Sequence, residues 1–344
     1  MLVKEAAPPS GGLRALIAGA AAVVVLWGVE GLSAIIGPAF LALVLTIAVS
    51  PLRNRLTGWA AALVPLLVIL LVLGALGGAL AIAVARFAAL MPQYADQYQR
   101  LLSSIAATLH GLGIEQVQVK QALSGIDAGR LVHAAQSLLS GLAGMASAVV
   151  LLVLVLYGMS LDAVTFRRTL ARLTTGRPHL VTALRGFARD TCRYLVVCTI
   201  FGLIVAVLDT LALTLLAVPL PLLWGLLSFI TNYIPNVGFV LGLAPPAVLA
   251  LLDSGVATMA GVIVAYCVLN FLIQSIIQPK FAGESAGLST AVTILSLLVW
   301  TWALGALGAI LAVPLSSFAR AVLIDADPAT AWAAPLVTGR AEDP

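Results

Sequence analysis

Charge is scarce in this chain: Asp, Glu, Lys and Arg together make up 9% of its 344 residues. A water-soluble domain carries about a quarter, so the composition excludes an ordinary soluble enzyme. Lysine occurs only at Lys4, Lys120 and Lys280, and none of these closes a Gly-Lys-Ser/Thr phosphate loop. The chain is therefore not itself the nucleotide-hydrolysing part of a pump. Histidine is limited to His110, His133 and His179, all outside the apolar runs, and no HExxH occurs. That argues against an intramembrane metalloprotease or a Ser-His protease. Cys192, Cys198 and Cys267 are odd in number and lie in or beside apolar segments. They make neither a disulfide framework nor a zinc spacing and read as small packing residues. No enzymatic activity, metal or cofactor is implied. The N-terminus, MLVKEAAPPSGGLR, lacks a cleavable signal pattern, so the first apolar run is expected to persist as a helix.

What the chain has in abundance is apolar: 62% of residues are hydrophobic and the mean hydropathy is +1.12. Disordered chains are poor in such residues. Several runs reach the roughly 20 residues that carry a helix across a ~30 Å hydrocarbon layer. The expected fold class is an all-α integral membrane protein, with lipid as its surroundings. A net charge of +4 could suggest nucleic acid, but the Lys and Arg residues flank apolar runs, as positive charge retained on the cytoplasmic side does. No nucleic-acid partner is expected.

Residues 1–83 hold spans one to three: Ala15 to Val29, Leu32 to Pro51, and Trp59 to Ala83. Residues 84–136 form an extracytoplasmic segment in which Leu101, Ile105 and Leu109 recur every four residues, the pattern of an amphipathic helix. Residues 137–193 contain span four, Ser137 to Leu161, and a linker rich in arginine from Arg167 to Arg193 that is expected in the cytoplasm. Residues 194–323 form a transport core, and 324–344 a cytoplasmic tail.

The core opens with span five, Tyr194 to Ala217. The run Leu222 to Leu252 follows, interrupted by Asn232, Pro235, Asn236 and Gly238. Val256 to Ile277 is the sixth full span. A second long run, Ala291 to Leu323, is interrupted by Gly305, Gly308 and Pro314. Paired runs broken by Gly and Pro point to a transport site. Each is either a kinked crossing or a re-entrant hairpin. Hairpins are preferred, because they place 14 of the 18 Lys and Arg residues inside. They leave only Arg86, Arg100, Lys120 and Arg130 outside, with both termini cytoplasmic and the hairpin tips meeting near the midplane.

Three signals carry chemistry. Asp209 stands inside span five, where an ionised carboxylate costs on the order of 3 kcal/mol. Such residues bind ions or relay protons; alternatively Asp209 bonds to Thr210 or a neighbouring helix, or snorkels to water. Asn270, Gln274 and Gln278 put amides on one helical face, to line a pathway or to hydrogen-bond between helices. The break at Thr231 to Gly242 frees backbone groups that survive in lipid only when buried in protein or facing a cavity, unless it is a plain proline kink. Gly305, Gly308 and Pro314 offer the same choices, with close helix packing as the rival.

Three stretches together resemble the autoinducer-2 exporter family of bacterial membrane proteins: NYIPNVGFVLGLAPPAVLALL, IIQPKFAGESAGLST and LLVWTWALGALGAILAVPLSSFARAVL. RYLVV, MPQY and SPLRNRL extend the likeness along nearly the whole chain. The resemblance implies an inner-membrane secondary transporter, homo-oligomeric, associated in some members with export of autoinducer-2 and in others with Na⁺(Li⁺)/H⁺ antiport. Its motif positions fall on Pro235, Gly238, Gln278, Pro279, Lys280, Gly308 and Pro314, while Asn236, Phe239 and Glu284 depart from its usual residues. The leading expectation is gradient-driven export of a small polar metabolite or signal, with Asp209 as coupling carboxylate. The alternatives are a monovalent cation/proton antiporter, and a non-transporting scaffold that binds partners through 84–136.

Overall fold

A computed structural model describes residues 11–94, 97, 99–100, 103, 146–235, 237–278 and 288–338. The regular structure among them is entirely helical. Helix α1 (Gly11–Gly31) meets α2 (Ser33–Ala48) at a 92° bend. The 16 residues of α2 give only about 24 Å, short of the ~30 Å hydrocarbon core. After the short α3 (Ser50–Arg53), α4 (Ala60–Leu90) runs straight through Val84, where the polar segment was expected to begin. It ends in a 3-10 turn, Met91–Tyr94; most of the expected amphipathic segment beyond it lies outside the described residues.

Helix α5 (Ala146–Leu173) packs on α2 and α4 through Ala42, Leu66, Ile69, Leu152 and Leu156. By length and composition alone, four described stretches could cross a membrane: Ala60–Tyr94, Pro178–Leu215, Val256–Ile277 and Thr290–Asp325, the last of them interrupted at Gly305. The bent α1–α2 pair makes a fifth if it counts as one span. The expected six full spans are thus not matched among the described residues. The first two expected spans join at the bend, and the apolar part of α5, Ala148–Ala163, is short. Trp27, Leu71, Leu154, Leu203 and Leu215 point outward with most of their surface exposed. So much outward apolar surface suits lipid, not water.

Helix α6 (Pro178–Leu215) begins in the basic linker, with proline in its first turn and Arg185, Arg189 and Arg193 exposed. Its 38 residues span about 57 Å, so it carries the linker's charge well away from its apolar end. The chain then reverses through Ala217 (φ 53°) and Leu220 (φ 58°), both left-handed without being glycine. Trp224 Nε1 donates to Pro219 O at 2.9 Å and Val218 is buried, so packing holds a turn that backbone sterics disfavour.

Both interrupted runs fold back on themselves. Helices α7 (Pro221–Thr231) and α8 (Gly238–Ser254) lie side by side. A Cβ on Gly242 would stand 3.1 Å from Thr231 Oγ1 and 3.3 Å from Ser228 Oγ. Within α10 (Thr290–Arg320), Gly305 takes φ 62°, ψ −142°. Trp300 Nε1 donates to Ser316 Oγ at 2.8 Å, and Ser316 Oγ donates to Ser296 Oγ at 2.6 Å. In one straight helix residues 296 and 316 would stand about 30 Å apart, so the arms must double back at Gly305. Ser289 caps the first arm by accepting from Val292 N.

The two hairpins touch. Ile234, in the turn of the first, packs on Leu297, Ala309 and Ala312 of the second. Helix α9 (Val256–Asn270) follows a break at Gly255 (φ 88°) and continues as a π turn, Phe271–Ile277. The first hairpin, α4, α6 and α9 share a core of Leu213, Trp224, Ala250, Val262 and Tyr266. At its edge Tyr94 Oη donates to Asp253 Oδ1 at 2.8 Å, tying the end of α4 to the end of α8. A π turn at Ala321–Asp325 and the short α11 (Ala334–Thr338) close the described chain.

Candidate functional site

Small side chains let α6 and α7 approach closely, and this approach buries Asp209. A Cβ on Gly225 would overlap Thr210 Oγ1 and come within 2.9 Å of Ala206 O; one on Gly202 would stand 2.9 Å from Asn232 Nδ2. Such contacts replace the hydrophobic effect as the source of helix association in lipid. Asp209, facing this seam, is 0% exposed, and neither carboxylate oxygen has a hydrogen-bond partner within 3.5 Å, although the Ser228 hydroxyl stands near enough to act on it. Thr210 does not supply one, because its hydroxyl donates to Ala206 O at 2.7 Å. Nor does the side chain snorkel. A buried polar group without a partner is uncommon and calls for a reason, such as a bound water, an ion or a proton.

The reason is visible around it. Asp209 lines a cavity with Ser228, Thr231 and Asn232 of the first hairpin and with Tyr266, Asn270 and Gln274 of the α9 strip. Val205, Phe239 and Gly242 complete the wall. The volume open to the centre of a water molecule in this cavity is about 10 Å³, room for about one water.

The amides are bonded to one another and to backbone. Gln274 Nε2 donates to Asn270 Oδ1 at 2.8 Å and to Asn232 Oδ1 at 3.2 Å. Asn232 Nδ2 donates to Cys198 O at 3.1 Å, and Asn270 Nδ2 to Tyr266 O at 2.9 Å. The ladder therefore ties α6, the hairpin turn and α9 together at the π turn that carries Gln274, a local widening frequent at functional sites. It both lines the cavity and makes the interhelical bonds that were the alternative to lining.

With both N–H groups of Gln274 and one each of Asn232 and Asn270 already bonded, and no Lys, Arg or His lining the cavity among the described residues, an anion finds no counter-charge there. A proton, a small cation or a hydroxyl-bearing solute finds the Asp209 carboxylate. Gln274→Leu would remove both of its bonds and leave two amide oxygens bare. At roughly 0.6 kcal/mol per intramembrane contact, about 1 kcal/mol of stability should be lost. The check is a fall of a few degrees in the melting temperature of the solubilised protein.

Asp209, Asn232, Asn270 and Gln274 thus converge. Pro235 sits half-buried in the hairpin turn, and Gly238 is buried where a Cβ would fall on the Thr231 carbonyl. Asn236, Pro279 and Lys280 lie outside the described residues. Gln278 is half-buried but off the cavity. Gly305, Gly308 and Pro314 belong to the second hairpin, away from the cavity; Gly308 is there for packing, since its Cβ would fall on the Trp300 carbonyl. The residues that sequence reasoning missed are Ser228, Thr231 and Tyr266. Their signal was present: Ser228, Thr231 and Asn232 share one face of α7, and Tyr266 continues the amide stripe one turn upstream of Asn270.

Comparison with known proteins identifies the family. A family model described as "AI-2E family transporter" matches residues 14–326. The chain is 31% identical over 321 residues to "Putative transport protein YhhT" of Escherichia coli (strain K12), covering 91% of each chain. It is 30% identical over 340 residues to a Haemophilus influenzae relative of similar designation, covering 96% of this chain and 97% of the relative. It is 30% identical over 321 residues to "AI-2 transport protein TqsA" of Escherichia coli (strain K12), covering 91% of this chain and 92% of that protein. A helical, multi-pass membrane chain matched over nearly its full length in this way belongs to the AI-2E transporter family.

Proposed function

We propose that this chain is a gradient-driven secondary transporter of the bacterial inner membrane that exports a small polar metabolite or signal. The observation that carries the reading is Asp209: fully buried, unpartnered, and set in a cavity between α6, the first hairpin and α9. A carboxylate inside a membrane helix and facing a cavity is a usual place for a proton or an ion to bind, so loading and releasing a proton there would change the local energetics. The first hairpin rests on the second through Ile234, which gives movement at the cavity a route to the second broken element. Autoinducer-2 is the first cargo to test, because a relative carries that substrate in its name. Both termini are assigned to the cytoplasm, the protein to homo-oligomers, and no enzymatic step to the chain.

Inverted membrane vesicles test this directly. Autoinducer-2 should accumulate when the lumen is acidified and should stop accumulating when a protonophore collapses the gradient. Accumulation that ignores the gradient would remove proton coupling.

The small size of the cavity favours one alternative, monovalent cation/proton antiport at the same carboxylate. Its signature is lumenal alkalinisation evoked by added Na⁺ or Li⁺ with no solute present. A scaffold acting through 84–136 would show neither flux. Topology is checked by single cysteines: Asp253→Cys should react from outside and Lys280→Cys from inside.

A further inference from the structure

We propose that Tyr266 and Ser228 are the positioning residues through which Asp209 gains and loses its proton; this rests on Asp209 being the coupling carboxylate. Tyr266 is 1% exposed and Ser228 5%, and both line the cavity into which Asp209 points its bare oxygens. Elimination singles them out. On the hairpin side, Thr231 donates its hydroxyl to backbone carbonyls of its own helix, and Asn232 donates to Cys198 O. Helix α8 contributes only Phe239 and Gly242, and α6 adds only Val205. On the α9 side, Asn270 and Gln274 are amides, as Asn232 is, and amides do not hand on a proton as hydroxyls do; they bond to Tyr266 O and to the neighbouring amides. Tyr266 is thus the other titratable group among the lining residues, and no cationic side chain stands there.

Ser228 Oγ donates to Tyr266 Oη at 3.5 Å, a long bond. When the serine hydrogen turns to the tyrosine oxygen, the tyrosine hydrogen is left for Asp209. The cavity has room for about one water to bridge the remainder. Transfer then balances without forming a tyrosinate. A proton reaching Ser228 Oγ is matched by the serine hydrogen moving to Tyr266 Oη, and the tyrosine hydrogen passes, directly or through one water, to Asp209. Each hydroxyl ends with one hydrogen, and only Asp209 changes, from carboxylate to neutral acid. The reverse sequence empties it. A ring that served packing alone would need no hydroxyl here; its other neighbours are the apolar side chains of the shared core.

The test uses the full-length chain in proteoliposomes, with hydrogen–deuterium exchange followed by infrared spectroscopy of the protonated carboxyl C=O band. In the unmodified protein a band that disappears in Asp209→Asn is expected. Tyr266→Phe should keep that band, shift its position and slow its exchange about tenfold, a modest share of what a positioned proton-transfer group supplies. Ser228→Ala should slow exchange in the same direction, and it keeps the idea testable if Tyr266→Phe fails to fold. Exchange within about twofold of the unmodified protein in both variants would overturn the relay while leaving Asp209 in place. Absence of any Asp209-dependent band, at every pH where the protein stays folded, would overturn the coupling-carboxylate reading itself.

Discussion

Asp209→Asn protein is expected to insert and fold normally while losing the proton dependence of transport altogether. The amide keeps the shape of the side chain but cannot take up or release a proton at any working pH. Uphill accumulation in vesicles should therefore fall to roughly a tenth or less, and whatever flux remains should be flat across pH. Stability should move the other way. The carboxylate is buried without a partner, and at membrane depth its charged form costs on the order of 3 kcal/mol. Removing it should leave the melting temperature unchanged or higher, the usual exchange of activity for stability at a strained site. A variant that transports with an intact pH profile would take Asp209 out of the mechanism. One that loses both transport and folding would make it a structural residue.

The second large effect concerns the two folded-back elements. In Gly238→Ala the new methyl would fall on the Thr231 carbonyl, and in Gly308→Ala on the Trp300 carbonyl. Backbone cannot yield as a flexible side chain does, so each change should cost about 3 kcal/mol and splay its hairpin. Gly305→Ala meets nothing within 4 Å. It must still hold φ 62° with ψ −142°, a conformation that costs a side chain about 1–3 kcal/mol. Gly77→Ala on α4, also with nothing within 4 Å, is the control and should gain about 0.5–1 kcal/mol of helix propensity. Thermal unfolding of the solubilised proteins ranks the four. Equal stability of Gly308→Ala and the control would mean that the arms of α10 do not approach as described.

Much of this was readable along the chain. The scarcity of charge, the apolar runs and the arginine-rich linker led to a helical membrane protein, and the quoted motifs to its family. Pro235 and Gly305 marked where helices had to stop, because proline lacks a donor and glycine alone accepts such a backbone. Asp209 stood out because a carboxylate within an apolar run is expensive wherever the run ends up. Ser228, Thr231 and Tyr266 passed unnoticed, since hydroxyls in a membrane helix are common and satisfy themselves locally, as Thr210 does. The count of spans also escaped: hydropathy records how apolar a stretch is, not whether it bends by 92° after Gly31 or doubles back at Gly305.

The sequence by itself determined the solvent this protein lives in, its helical class and the places where those helices break, because each follows from local chemistry: transfer energy, periodicity and backbone sterics. Only the tertiary structure decided which breaks close into hairpins, and which of the scattered polar groups meet. Asn232 and Gln274 are 42 positions apart in the chain and 3.2 Å apart in space, a distance set by how closely glycines let α6, α7 and α8 pack. No property of either residue alone encodes that contact.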